Sequence, residues 1–110
     1  MKINEFINNY NLHDSILEKA INNSNDNTLE MEIELCNWKQ SSFVEGQPEM
    51  LKLNFIFKGV SMFCTEPCEY RLDDDDILEV QLSNDGMLKI VTRNDFGINV
   101  FSIVANSVEL

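Results

Sequence analysis

Residues 28–36, Thr28-Leu29-Glu30-Met31-Glu32-Ile33-Glu34-Leu35-Cys36, decide the fold. Leu29, Met31, Ile33 and Leu35 alternate with Glu30, Glu32, Glu34 and Cys36. A period of two lines one face of a strand with apolar side chains, whereas a helix would scatter both sets around its circumference. The segment therefore reads as a strand with its aliphatic side on a core and its acidic side in water, the design of an antiparallel sheet covered on one face.

The pattern extends outward in both directions. Residues 37–49 hold Ser, Gly, Gln and Pro and form a loop longer than the usual connection, and such loops often carry function. Leu51, Leu53, Phe55 and Phe57 alternate with Lys52, Asn54, Ile56 and Lys58 as a second strand, and Gly59 interrupts it before Val60-Ser61-Met62-Phe63. Thr65 to Asp76 reads as a loop, Ile77 to Leu82 as a strand, and Asn84-Asp85-Gly86 as a hairpin turn using a positive φ. Met87 to Thr92 returns, Asn94-Asp95-Phe96-Gly97 turns again, and Ile98 to Ala105 closes the series with apolar residues on both faces.

Before the deciding strand, Asn22 to Asn27 is a polar turn. Leu12 to Asn22 fits two structures equally. Ser15-x-x-Glu18 has the form of a capping box for a helix, while the polar turn after it fits a hairpin. Ile3, Phe6 and Ile7 place an apolar stripe on a short helix over residues 2–9. No βαβ rhythm appears. The expected fold is α+β, mostly β: an antiparallel meander sheet of about six strands with a short N-terminal helix on one face. Residues 1–110 are expected to form a single domain.

Nineteen acidic against eight basic residues leave a net charge of −11. That field repels nucleic acid and anionic lipid and favours a basic protein partner. There is no apolar run near the ~20 residues that span a bilayer. Met1-Lys2-Ile3-Asn4-Glu5 lacks the apolar region of a signal peptide, so a cytoplasmic location is expected. Cys36, Cys64 and Cys68, an odd number, are expected to stay thiols.

Catalytic motifs are thin. His13 is the only histidine, which removes a two-histidine metal site, and no local signature pairs it with a nucleophilic cysteine. A zinc site would need Cys36, Cys64, Cys68 and His13 to converge. The run Asp73-Asp74-Asp75-Asp76 lacks the glycine and the terminal glutamate of a calcium loop. No catalytic residue, metal or cofactor is expected. The carboxylates read instead as an interaction surface: Glu30, Glu32 and Glu34 on the strand, and Asp73, Asp74, Asp75 and Asp76 with Glu66, Glu69 and Glu79. Trp38 and Phe43 are candidate anchors in the long loop, with Val44 beside them. The plain alternative is that the charge serves solubility.

One resemblance spans residues 12 to 105. Leu12-His13-Asp14-Ser15-x-Leu17, a polar turn, and Thr28-Leu29-Glu30-Met31-Glu32-Ile33 open it. A loop with Trp38 and Pro48 follows, then Phe57-Lys58-Gly59-Val60. Ile77 to Leu82, Asp85-Gly86, Leu88 to Val91 and Gly97 to Phe101 continue it. This pattern resembles small bacterial immunity proteins of polymorphic toxin systems, of the type called immunity protein 50. It departs at Asp26-Asn27, where that pattern has Gly-Pro, and in the Asp73–Asp76 run. The resemblance implies a strand over residues 14–22 and a non-enzymatic protein that neutralises a toxin by binding it. Three rivals stand beside it: a small-ligand or regulatory domain with a pocket between sheet and helix lined by Phe55, Phe57 and Trp38; an enzyme built on His13; and a self-associating structural subunit.

Overall fold

The computed structural model describes residues 1–110. It is mostly β, with one helix, α1 (Ile3–Asn9), and eight strands: β1 (Ile16–Asn23), β2 (Thr28–Cys36), β3 (Met50–Lys58), β4 (Met62–Glu66), β5 (Asp75–Leu82), β6 (Leu88–Asn94), β7 (Gly97–Val104) and β8 (Ser107–Glu109). A single 3₁₀ turn, Asn37–Lys39, opens the long loop.

The strands form one antiparallel sheet in the order β4-β7-β6-β5-β1-β2-β3-β8. This corrects the expectation of about six strands in a simple meander. β1-β2-β3 and β5-β6-β7 are meanders, but β4 crosses to the far side of β7 and β8 returns beside β3. The two halves join through only two residue pairs, Ile16–Asp76 and Leu17–Asp75. Register shifts between Leu17 and Lys19 and between Ile77 and Glu79 lie next to this seam. Such bulges bend and twist a strand. Here they let the two halves part and share one core.

The deciding strand behaves as its period requires. Leu29, Met31, Ile33 and Leu35 are buried, with Phe55 and Phe57 beside them on β3 and Ile90, Phe101 and Ile103 from the other half. α1 covers this inner face. Phe6, fully buried, meets Phe55 and Phe57 edge-on at centroid distances of 5.0 and 5.6 Å. The ambiguous stretch is a strand: Ser15 caps no helix, and its buried Oγ accepts the Cys36 N–H at 2.8 Å. The hairpin at Ser83–Met87 uses Gly86 at φ 88°, with the Gly86 N–H on the Ser83 carbonyl. No helix is long and apolar enough to cross a membrane.

Candidate functional site

One row of directly opposed residues crosses six strands: Ile98, Arg93, Asp76, Ile16, Glu34 and Lys52. Beyond this row, at one end of the sheet, lie the loops 37–49 and 67–74, the 94–97 turn and the His13-Asp14 corner. The opposite end carries shorter connections. Neighbouring strands lie about 4.8 Å apart, so Trp38 after β2 and the turn before β7 are roughly 20 Å apart along the rim.

Three groups of hydrogen bonds hold this loop end. Gln40 donates through Nε2 to the carbonyls of Asn11 (2.7 Å) and Cys36 (2.9 Å) and accepts the Asn11 N–H on Oε1 at 2.9 Å. That latches the long loop to the chain leaving α1. Lys39 hydrogen-bonds Asp14, which also lies 3.3 Å from His13 Nδ1, and the Lys39 bond chiefly holds the Asp14 carboxyl below its usual pKa. The third group centres on Asp75. Its Oδ2 accepts from Thr92 Oγ1 (2.5 Å) and Asn99 Nδ2 (2.9 Å), and its Oδ1 from Asn94 Nδ2 (2.6 Å) and the Asp73 N–H (3.0 Å). Asn94 and Asn99 also donate to the Arg71 carbonyl, pinning the loop. Burial alone would raise the Asp75 pKa, but these four donors outweigh it and leave the carboxyl below its usual value.

Asp75 is therefore a correction to the expected binding surface. It is fully buried, and four donors occupy the four lone-pair positions of its carboxylate. Its neighbours Asp73, Asp74 and Asp76 are exposed. The strand carboxylates stand differently. Glu30 accepts from Asn54 Nδ2 at 2.6 Å, and Glu32 lies 3.6 Å from both Lys19 and Lys52. Lys52 also lies 3.4 Å from Glu18, and Glu18 first, then Glu32, raises its pKa. Within the stripe, only Glu32 is thus charge-compensated, by lysines on β1 and β3. Glu34, in the rim row, faces Ile16 and Lys52 and is in no ion pair.

Trp38 is 52% exposed, with the Lys39 ammonium 5.4 Å from its ring centroid, and Phe43 is half-buried. Two residues absent from the expected site join them. Phe96 is 57% exposed and stacks under the Arg71 guanidinium at 3.7 Å, and Ile98 beside it is also exposed. Five of the seven exposed large apolar residues, Trp38, Val44, Leu51, Phe96 and Ile98, sit at the loop end. Glu69 and Arg71 line one groove with Phe96 and Ile98, and Arg93 lies opposite both Asp76 and Ile98. Glu66, Glu69, Asp73, Asp74, Asp76 and Asp95, all at this end, are in no ion pair.

The pocket imagined between sheet and helix is filled, because Phe55 and Phe57 are buried against Phe6 and Tyr10. Shallow grooves flank the helix instead. One, of about 430 Å³, is lined by Ile7, Tyr10, His13, Glu79 and Val80 among others. No three His, Cys, Asp or Glu side chains converge on a metal position.

Comparison with family models, with curated proteins and with solved structures finds no match for this chain. The reading of the site accordingly rests on its chemistry. Two exposed apolar groups at one end of the sheet, Trp38 with Val44 and Leu51, and Phe96 with Ile98, lie among unpaired carboxylates and offer desolvation beside negative charge.

Proposed function

We propose that this protein is a non-enzymatic binding domain, an immunity protein that neutralises a basic toxin domain, and that it engages this partner through the loop end of the sheet. The observation that carries the reading is the gathering of exposed apolar side chains and unpaired carboxylates at one end of the sheet, whereas on the strand stripe Glu32 is already paired with Lys19 and Lys52. A buried aromatic anchor with a charged rim is the anatomy of a protein interface, and the anchors supply most of the affinity. A net charge of −11 adds long-range attraction for a cationic surface and speeds encounter. The resemblance in spacing and strand chemistry to immunity proteins points the same way. Such a role needs a rigid scaffold and a presented surface rather than a reactive group.

The test is co-expression with the protein encoded by the adjacent upstream gene, scored by growth and co-purification. The proposal requires that the neighbour be toxic alone and that this chain restore growth as a stable complex. A harmless neighbour, or growth restored with no complex formed, refutes it.

A further inference from the structure

The two edges of the sheet differ. At β8 the free side is closed: the Val108 N–H donates to the Met1 carbonyl at 2.9 Å, and the Met1 ammonium donates to the Val108 carbonyl at 2.8 Å. At the other edge, β4 has β7 on one side and nothing on the other. No backbone hydrogen bond outside the sheet ladders involves residues 62–66, and no side chain reaches their amides or carbonyls. The outward N–H and C=O groups of β4 therefore face solvent as a template for another strand. Within the strand, guarding side chains are missing as well, although it is short and Pro67 follows it directly. Met62-Phe63-Cys64-Thr65-Glu66 has no lysine and no proline, and its one charge is at the end.

Charge selects the occupant. Glu66 ends β4 and Glu69 follows three residues later; both are exposed and neither is in an ion pair. β4 carries no cation. A second copy would bring its own −11 and its own Glu66 to the same edge, a repulsive match. A cationic strand is complementary there. It gains main-chain bonds along β4 and ion pairs at its acidic end, the mode by which extended segments join exposed sheet edges.

We propose that the open edge of β4 receives an extended, basic segment of the protein partner as an added strand. This rests on the reading of the protein as a binding domain and names how one element of the partner is held. β4 ends at the loop end, where its Glu66 lies opposite Val100, so an added strand would continue the same surface.

The test uses two capped peptides, one alternating Lys and Val and one alternating Glu and Val, with amide hydrogen exchange followed by NMR on the full chain. The Lys–Val peptide should slow exchange of the outward amides within Met62–Glu66 by about tenfold or more, because new hydrogen bonds protect them. The Glu–Val peptide should leave them unchanged, and Glu66→Lys should reduce the Lys–Val effect while the rest of the spectrum stays native. Equal protection by both peptides, protection by neither, or protection from raising the protein concentration alone overturns the inference. If co-expression yields a complex but β4 stays unprotected, the edge inference fails by itself. If β4 is protected but the neighbour proves harmless, the immunity reading fails by itself.

Discussion

Asp75→Asn would keep the shape of the buried side chain and reverse half of its chemistry. An amide offers one acceptor oxygen and turns an NH₂ group toward the other two donors; Thr92 Oγ1 can accept from it, but Asn99 Nδ2 cannot. Leaving at least one of the four donors unsatisfied should cost about 1–3 kcal/mol, measurable as a lower urea midpoint at pH 7. The pH dependence has a definite sign. The folded-state pKa lies below the ordinary 3.8, so the ionised carboxylate contributes fully above that value. Its contribution is lost as pH falls through the folded-state pKa. Wild-type Tm should therefore drop more steeply than that of Asp75→Asn as pH falls from 5 toward 2; parallel curves would contradict this role. The separate fate of Asp75 was hidden inside a run of four aspartates, yet the strand period contained it. Asp75 lies two residues before buried Ile77, Thr92 two after buried Ile90, and Asn99 two before buried Phe101. Three polar residues on inward phases of three adjacent strands are the signature of a buried network. Phe96 carried no such signal, because an aromatic residue in a turn is equally consistent with packing inward.

Among the elements, α1 has one fully buried side chain, Phe6, with Ile3 and Ile7 packed half-buried beside it. Phe6→Ala removes the ring wedged between Phe55, Phe57 and Tyr10 and should cost about 3–5 kcal/mol by the usual penalty for truncating a buried aromatic. Gln40→Ala has a different expected outcome. It frees the latch to Asn11 and Cys36 without opening the core, so amide exchange in residues 37–49 should accelerate while global stability changes by about 1 kcal/mol or less. The strands with strict alternation, β2 and β3, were legible in the sequence because apolar side chains face the core along all of β2 and at the Phe55–Phe57 end of β3. β1 was ambiguous because its bulge after Leu17 breaks the alternation, making the apolar spacing resemble a helix. β8 was not legible at all: three residues are too few to show a period, and only Val108 reaches the core. The strand order was out of reach for a related reason, since the β4–β7 and β3–β8 pairings are set by long-range packing rather than by any turn.

At the scale of the molecule, the acidic surface has two parts: a strand stripe in which Glu32 is paired with lysines, and a loop end whose Asp73, Asp74 and Asp76 are in no ion pair. Neutralising Asp73, Asp74 and Asp76 together to Asn should slow association with a basic partner by roughly tenfold at low salt and flatten its salt dependence. Neutralising Glu30 and Glu32 to Gln should change association less, because both lie mid-strand away from the loop end and Glu32 already faces Lys19 and Lys52. The distinction between these two acidic groups was invisible in the linear sequence, since cross-strand register decides which lysine faces which glutamate. The most direct test of the central claim is co-expression with the upstream neighbour, comparing wild type with two folded variants: Phe96→Ala combined with the three Asp→Asn changes, and Glu30→Gln with Glu32→Gln. Wild type and the stripe variant should restore growth and co-purify with the neighbour, while the loop-end variant should do neither. Rescue by the loop-end variant at wild-type strength, or a neighbour that neither kills nor binds, would contradict the claim.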